Sequence, residues 1–329
     1  MSLLPKDPHG CPFLLLAPME GVGDRCFRKA MAAAGGMDQA VTEFLRVPTN
    51  AHVKSLALRY QHDELAPLPL AAQIMGSDPA LMADMSGELE TRAAPRIDLN
   101  CGCPSNTVTG RGAGSSLLKE PDSLYKVAAA MVKAVKTPVT IKMRTGFEDT
   151  SLFKENLLAA QESGVRYITL HPRTKVDGYG PPAKWEYIAE AKSILKIPVV
   201  GNGDILNVQD ALNMLKQTGC DALMIGRGSV INPFIFQQIR AHFTGREFKP
   251  TWEDFTRYIN AYLGEMSPDA PARNKINKVK QWMGFLFKAS PALQEQRQAL
   301  LTSSSAEPEA FIANAIKMLE AGWRQDNEK

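Results

Sequence analysis

Two cysteines stand one residue apart in the stretch "DLNCGCPSNTVTGRGAG", residues 98–114. They end an apolar run, and a polar, glycine-rich segment follows them directly. A thiol in such a place can bind a metal, attack a substrate as a nucleophile, or donate a proton. The CxC spacing is not usual for zinc, and no second cysteine pair follows, so we expect no metal site.

Cys103 is the better candidate for chemistry, because it lies past the end of the apolar run, whereas Cys101 directly adjoins the run. A nucleophilic thiolate needs a nearby base, and only His171 can share its rim, two strands away. A free thiol has a pKa of about 8.5, so at neutral pH it can donate a proton to a carbon made basic by hydride addition. Both roles stay open, with the acid role favoured. The plain alternative, a small buried apolar residue, fits Cys101, Cys26 and Cys220 better.

Polar side chains also follow the other apolar runs of the chain. In a barrel of parallel strands the loops after the strands meet at one rim. A single polar strand end argues little, but recurrence after every run indicates a shared site. The residues are Met19, Glu20, Glu43, Arg46, Gln73, Asn100, Lys142, Arg144, His171, Arg173, Asn202, Asp204, Gly226 and Arg227.

The last two loops indicate a phosphorylated ligand. "GNGD" and "GRG" follow the seventh and eighth apolar runs, the position where barrel enzymes often bind phosphate. Glycines let backbone N–H groups approach oxygen closely, and Arg227 adds a forked cation. Either loop alone is better explained as a simple turn, so the inference rests on the pair.

Lys142 and Arg144 are two residues apart on one run, so they point the same way. Two cations inside an apolar barrel mouth need anions or a polar ligand. A flavin mononucleotide (FMN) meets these needs, with its phosphate on the final loops and a lysine at the ring edge that becomes negative on reduction. Gln73 and Asn100 can bond the amide edges of the ring. The alternative is that each cation pairs with a nearby carboxylate.

Eight short apolar runs alternate with helix-period segments and must position these residues. This alternation predicts a closed (β/α)8 TIM barrel, with an open doubly wound sheet as the alternative. The runs are 12–18, 39–44, 69–74, 96–100, 138–144, 167–173, 197–203 and 222–228, and segments such as 79–92, 121–135 and 207–219 read as helices.

After residue 243 the pattern becomes helical, which predicts a barrel domain over 1–243 and a helical domain over 244–329. Helices are predicted within 251–266, 274–288 and 308–323. Between residues 270 and 294 there is no acidic residue but there are five cations, among them Lys278 and Lys280. Such a basic face indicates contact with RNA phosphates, although a solvated helix side is the ordinary explanation.

Composition sets the remaining bounds. The 329 residues are 44% hydrophobic and 22% charged, with a net charge of +3, so a nucleic-acid partner must be read from local clustering. Five cysteines are an odd and low count, which argues against disulfides and favours a reducing, cytosolic compartment. No apolar run is long enough to span a membrane. We expect a monomer.

Taken together, these motifs resemble the tRNA-dihydrouridine synthase family and are most similar to its bacterial DusC branch. The resemblance covers nearly the whole chain, and the "DLNCGCP" block is its most specific part. It rests on "LLLAPMEGV", "TEFLRV", "AAQIMG", "DLNCGCPSNTVTGRGAG", "IKMRTG", "HPRT", "GNGD" and "MIGRG", in this order, and on "VKQW" near the C-terminus.

The resemblance implies an FMN-bearing barrel with a helical tRNA-binding domain, with NADPH as the reductant. It implies hydride transfer to C6 of a D-loop uridine, at position sixteen in this branch, and protonation of C5 by Cys103. Asn100 would contact the uridine, Arg46 matches a position linked with uridine choice, and Tyr179 matches a tRNA contact. The implied flavin contacts are Pro18, Met19, Glu20, Gln73, Lys142, His171, Asn202, Gly203, Asp204, Gly226 and Arg227.

Two positions depart from the family pattern. Pro172 replaces the usual glycine after the rim histidine, and proline has no N–H to offer a ligand. Asn106 stands where a lysine is common, which affects one phosphate contact. Two other functions stay open: a flavin barrel acting on a free small molecule, as dihydroorotate-type oxidoreductases do, and a non-catalytic RNA-binding protein.

Overall fold

In a computed structural model, the structure describes residues 3–104, 112–180, 182–289, 291–303 and 307–327. Eight parallel strands close on themselves, since β2 pairs with both β1 and β4, and the series from β4 to β9 returns to β1. The strands are β1 (Phe13–Leu16), β2 (Gln39–Val41), β4 (Leu70–Met75), β5 (Ile97–Cys101), β6 (Val139–Gly146), β7 (Ile168–Thr174), β8 (Val199–Asn202) and β9 (Ala222–Ile225), with a short β3 (Leu45–Arg46) beside β4. The predicted TIM barrel is confirmed, and the closure excludes the open sheet.

The division into compact units places the helices in two groups. The first unit is Met1–Asp24 with Met37–Gly226, and the second is Arg25–Gly36 with Arg227–Lys329. The first contains α2 (Val53–Ala57), α3 (Pro79–Thr91), a 3₁₀ helix (Gly114–Lys119), α4 (Pro121–Ala134), α5 (Phe153–Glu162), α6 (Glu186–Ile194) and α7 (Val208–Thr218). The second contains α1 (Arg25–Ala34), α8 (Arg227–Ile231), α9 (Ile235–Phe243), α10 (Trp252–Gly264), α11 (Ala272–Leu286), α12 (Pro291–Thr302) and α13 (Pro308–Asn327). The functional boundary at 243/244 stays a prediction.

Side chains on each barrel strand alternate between the interior and the surrounding helices. Thr140 of β6 bonds Asp98 of β5 inside the barrel, so Asn100 and Lys142, each two residues further along, face the interior nearer the carboxyl ends. Both strand faces are covered, which explains why the strands read as continuous apolar runs. A hydrophobic cluster of the barrel includes Leu15, Val41, Ala71, Tyr167, Val200, Ala222 and Met224.

The second unit has an aromatic core. Trp282 of α11 stacks on Tyr262 of α10 with ring centroids 3.8 Å apart, and its indole N–H donates to the buried Tyr258 hydroxyl at 3.0 Å. Arg25 of α1 reaches Glu265 at 2.6 Å. The hydrophobic pattern does not predict α12, because its buried Leu293 and Leu300 are seven residues apart and give a weak helical period.

Candidate active site

Five polar side chains share the interior face at the carboxyl ends of consecutive strands. They are Gln73 on β4, Asn100 on β5, Lys142 on β6, His171 on β7 and Asn202 on β8. Strand register joins them, since Asn100 pairs with Lys142 and Arg144 pairs with His171. The barrel therefore brings together predicted residues that lie up to 129 positions apart in the chain.

The backbone at Cys103 is held on both sides. Its N–H and that of Gly102 donate to the Asn100 Oδ1 atom, at 2.9 and 3.0 Å. Its carbonyl accepts from the Ser115 hydroxyl at 2.9 Å. The side chain is 7% exposed and packs beside Met75. The backbone of Cys103 is thus held in place just past the end of β5, as its sequence position predicted.

Burial alone does not set Cys103 apart, because all five cysteines are buried thiols outside any disulfide in the described structure. Cys101 is fully buried, and desolvation together with the nearby Asp98 raises the pKa of its thiol well above the ordinary value. By strand alternation, Cys101 points away from the interior face that carries Asn100. Location at the rim distinguishes Cys103.

Gln73 is bonded at both ends of its amide. Its Nε2 donates to Asp98 at 2.7 Å, and its Oε1 accepts from Asn100 Nδ2 at 2.8 Å. Its backbone N–H donates to the Thr42 hydroxyl at 3.0 Å. One amide N–H and one oxygen lone pair of Gln73 remain for a ligand.

Lys142 has no hydrogen-bond or ion-pair partner among the described residues. Burial, with a smaller contribution from Arg144, lowers the pKa of its ammonium group to about 8. Among the described residues, neither Lys142 nor Arg144 forms an ion pair with a carboxylate, although the charge of Asp98 partly offsets the lowering of the Lys142 pKa. Lys142 stands at the mouth as a cation available for a ligand.

Arg144 ties two loops together through backbone oxygens. Its Nε donates to the Gly102 carbonyl at 2.8 Å, and its Nη1 donates to the carbonyls of Thr174 and Gly178 at 2.7 and 2.9 Å. Its guanidinium lies 5.4 Å from the ring centroid of Tyr179, which is 59% exposed. Burial is the main cause that lowers the pKa of Arg144. Arg144 thus holds Tyr179, the predicted tRNA contact, near the backbone of Gly102 and Cys103.

The protonation of His171 follows from its neighbour. Arg173 Nη1 lies 3.1 Å from His171 Nε2, and a guanidinium can only donate. His171 Nε2 therefore accepts, so the ring is neutral and carries its proton on Nδ1. Arg173 is in turn held by Asp204 at 2.6 Å.

Asp204 and Gly203 form a constrained turn after β8. Gly203 has φ of +117°, and a Cβ there would stand 2.9 Å from His171 Cδ2, so only glycine fits. Asp204 has φ of +54°, and its carboxylate accepts from Arg173 and from the Ala183 N–H at 2.8 Å. Asn202 donates to the Met224 carbonyl at 2.8 Å. The Asp204 carboxylate therefore bonds neighbouring groups of the protein, at the end of β7 and before α6.

The loop after β1 carries Pro18, Met19 and Glu20. Glu20 pairs with Arg46 at 3.2 Å, and both side chains are about half exposed, at 52% and 45%. At the end of β9, a Cβ on Gly226 would stand 3.4 Å from Ala17 and 3.5 Å from Met19, which is ordinary van der Waals contact. Pro172 offers only its carbonyl, which accepts from Lys184 N–H at 3.1 Å. Asn106 lies outside the described residues.

The remaining predicted residues belong to the second unit. Arg227 is exposed and begins α8. Lys278 donates to the Cys26 sulfur at 3.0 Å, and Lys280 donates to the carbonyls of Leu301, at 3.0 Å, and Ser303. Both ammonium groups are thus engaged within the unit, which α-helical spacing alone did not reveal.

The motifs did not identify Asp98, Thr140 or Arg96 as site residues, and they predicted a ligand-binding cation at Arg144, whose Nε and Nη1 instead donate to backbone carbonyls. The available signal was the spacing of two: Arg96, Asp98 and Asn100 alternate with apolar residues, so all three face the interior. Polar residues with that period inside a barrel must bond one another or a ligand.

The donor set fits a flavin. Lys142 is a cation without a hydrogen-bond or ion-pair partner in the described part of the chain, and Gln73 has spare hydrogen-bonding capacity. Together with the glycines at the ends of β8 and β9, they suit a planar ring with a phosphate. Within the described part of the chain, no cluster of three or more His, Cys, Asp or Glu could hold a metal. Nor does any described helix have the length and apolar character needed to cross a membrane.

The fold and the site define a (β/α)8-barrel protein whose reactive centre lies at the carboxyl ends of the strands. Residues 15–319 match the family described as dihydrouridine synthase, and the chain belongs to that family. The resemblance found in the motifs is confirmed. The family consists of flavin-dependent oxidoreductases, so the protein is an enzyme.

Curated relatives agree with this assignment. A tRNA-dihydrouridine(16) synthase of Neisseria meningitidis serogroup A is 34% identical over 315 residues, covering 92% of this chain and 94% of the relative. Enzymes of the same name from Pseudomonas putida and Shewanella oneidensis are 36% and 37% identical, each over 84% of this chain and 89% and 90% of their own.

Proposed function

We propose that this protein reduces the C5=C6 bond of a uridine in the tRNA D-loop, at position 16, to 5,6-dihydrouridine. The observation that carries the proposal is the fixed position of Cys103 beside Asn100, at a barrel mouth that also presents Lys142. The names of the relatives supply the substrate class and the position.

FMN would be held by interior-facing side chains of the mouth. Lys142 supplies the cation, Gln73 an amide edge and His171 an Nδ1–H donor, while the turns at Gly203 and Gly226 leave room for close backbone approach. When bound and reduced by NADPH, FMN supplies hydride for C6 of the uracil. The other proposed flavin contacts are Pro18, Met19, Glu20, Asn202, Asp204 and Arg227.

Cys103 supplies the proton. The C4 carbonyl polarises the uracil double bond, so charge develops as an enolate when hydride reaches C6. The Cys103 thiol protonates C5, and its thiolate then regains a proton from solvent. Asn100 orients the uracil and, by bonding the backbone of Cys103, also fixes the donor.

The target base must leave its stack to enter the mouth, which costs a few kcal/mol. A D-loop uridine lowers this cost because it is outside a continuous duplex, so RNA shape directs recognition. Arg46 and Tyr179 are exposed at the rim for this contact, and Lys278 and Lys280 are proposed contacts of the helical unit. The five reduced cysteines and the tRNA substrate favour the cytoplasm.

The test uses a strain that lacks its own dihydrouridine synthases. Expression of the wild type should restore dihydrouridine at position 16 in total tRNA, and Cys103→Ala should lower the rate of formation by at least about 100-fold. Cys101→Ala is the matched control, because it removes a buried thiol two residues away and should retain activity. Absence of restored dihydrouridine with the wild type would refute the function, and full activity of Cys103→Ala would remove that thiol from the proton-donor role.

A further inference from the structure

Asp98 is a fully buried carboxylate below the site. Its Oδ1 accepts from Arg96 Nη1 at 3.1 Å and from the Thr140 hydroxyl at 2.5 Å. Its Oδ2 accepts from Gln73 Nε2 at 2.7 Å. Each of these groups lies inside the barrel.

The direction of the hydrogen bonds above Asp98 is set by chemistry. A carboxylate only accepts, so it turns the amide nitrogen of Gln73 toward itself and leaves Gln73 Oε1 for Asn100 Nδ2. Asn100 must then present its oxygen to the loop, where it receives the N–H groups of Gly102 and Cys103. A carboxylate two strand positions below the rim thereby decides which atom of Asn100 faces the cysteine loop.

We propose that Asp98 is a positioning residue that sets this hydrogen-bond direction and thereby holds the backbone of Cys103 in place. Its importance for catalysis rests on the proposed function, whereas its effect on the loop does not. Without the carboxylate, the side-chain amides of Gln73 and Asn100 could each exchange the positions of their oxygen and nitrogen. Only one orientation satisfies the two backbone donors.

Asp98→Asn separates this role from simple packing, because the two side chains have the same shape. Arg96 can only donate, so it keeps the oxygen of the new amide and turns the new NH2 group toward Gln73. Gln73 must then turn its amide oxygen toward residue 98 and its amide nitrogen toward Asn100. Asn100 follows and presents its nitrogen to two N–H donors, which leaves the loop without its acceptor.

The direct readout is hydrogen exchange of the Gly102 and Cys103 amides, measured by NMR on the flavin-bound protein. Asp98→Asn should accelerate both by about ten- to a hundredfold, the loss expected for two buried bonds. Thr140→Val is the matched control, because it removes one bond from the same carboxylate but leaves the carboxylate an acceptor. It should change these two rates by less than about threefold. Unchanged exchange in Asp98→Asn overturns the proposal.

The double variant Asp98→Asn, Asn100→Asp provides a rescue. It moves the carboxylate, which can only accept hydrogen bonds, from position 98 to position 100. Gln73 Nε2 can then donate to residue 100, and the new carboxylate can still accept from both backbone N–H groups. Exchange should return to within about threefold of the wild-type rate. A purely structural role for Asp98 predicts further damage instead. A double variant no better folded or protected than Asp98→Asn alone overturns the proposal.

Kinetics link the loop to the reaction. With tRNA as substrate, Asp98→Asn should lower kcat about tenfold while KM stays within about twofold, since the change affects the donor rather than the rim that meets RNA. Equal kcat values for Asp98→Asn and Thr140→Val would contradict this part. If the wild type forms no dihydrouridine, the proposed function fails, yet the exchange experiment still decides the role of Asp98.

Discussion

At the scale of single residues, the site depends on groups whose hydrogen-bonding capacity admits one arrangement. Arg173 can only donate, so it fixes the neutral tautomer of His171. Asp98 can only accept, so it fixes the amides of Gln73 and Asn100. These constraints follow from atom types, which is why a few contacts determine the chemistry presented at the mouth.

Lys142 should cost stability in the flavin-free protein. Its pKa in the folded state is about 8, below the ordinary value of 10.5. Below pH 8 the Lys142 ammonium group is charged in both the folded and the unfolded protein, so the folded state bears the full free-energy cost of burying that charge. Between about 8 and 10.5 the unfolded chain binds more protons, so this penalty disappears as pH rises.

Lys142→Met should therefore stabilise the flavin-free protein by about 1–3 kcal/mol at pH 7, with a gain that shrinks toward pH 10. Urea unfolding at the two pH values measures it. Lys126→Met on an exposed face of α4 is the control and should show no such pH dependence. A gain in the free energy of unfolding that does not depend on pH would show that removal of a buried charge is not its cause.

At the scale of elements, loops from two different strands are joined by one side chain. Arg144 lies on β6 and bonds carbonyls after β5 and around the β7 loop. A rigid fork reaches several acceptors at fixed angles, which a lysine cannot reproduce. The element that carries Tyr179 is thus positioned by the strand beside it.

Arg144→Lys should loosen residues 174–180 and raise the KM for tRNA by about tenfold, because the exposed Tyr179 loses its support. Hydrogen exchange of that segment and steady-state kinetics test this. Arg166→Lys at the opposite end of β7, where Arg166 is exposed, is the control. Unchanged exchange at 174–180 would contradict the role given to Arg144.

At the scale of the whole molecule, the chain divides into a barrel unit and a helical unit that also includes α1. Cutting the chain at residue 243 would remove α10, which pairs with α1 through Glu265 and Arg25. Deletion of the tail is therefore a poor test of RNA binding. Charge reversal leaves the helices intact.

Arg273→Glu with Lys288→Glu should weaken tRNA binding and reduce the slope of log K against log salt concentration by about 2. Both side chains are exposed on or beside α11. Lys126→Glu with Lys133→Glu on α4 makes the same change of net charge and is the control. Equal salt slopes for the two pairs would argue against an RNA contact on the helical unit.

Much of this protein can be predicted from its sequence because strand alternation and loop chemistry are local. The eight apolar runs are the eight barrel strands, and the rim residues follow from their ends. The cysteine motif, with the rest of the pattern, also predicted the family. The pattern did not predict α12, whose buried leucines are too few for a clear period.

Sequence alone determined which side chains reach the mouth, since a residue's face depends only on its position along a strand. Tertiary structure alone decided what each side chain bonds. Lys278 meets Cys26 across 252 residues, and Arg144 meets carbonyls of two loops. Such pairs form only when the chain closes, because no local pattern encodes the distance between residues far apart in sequence.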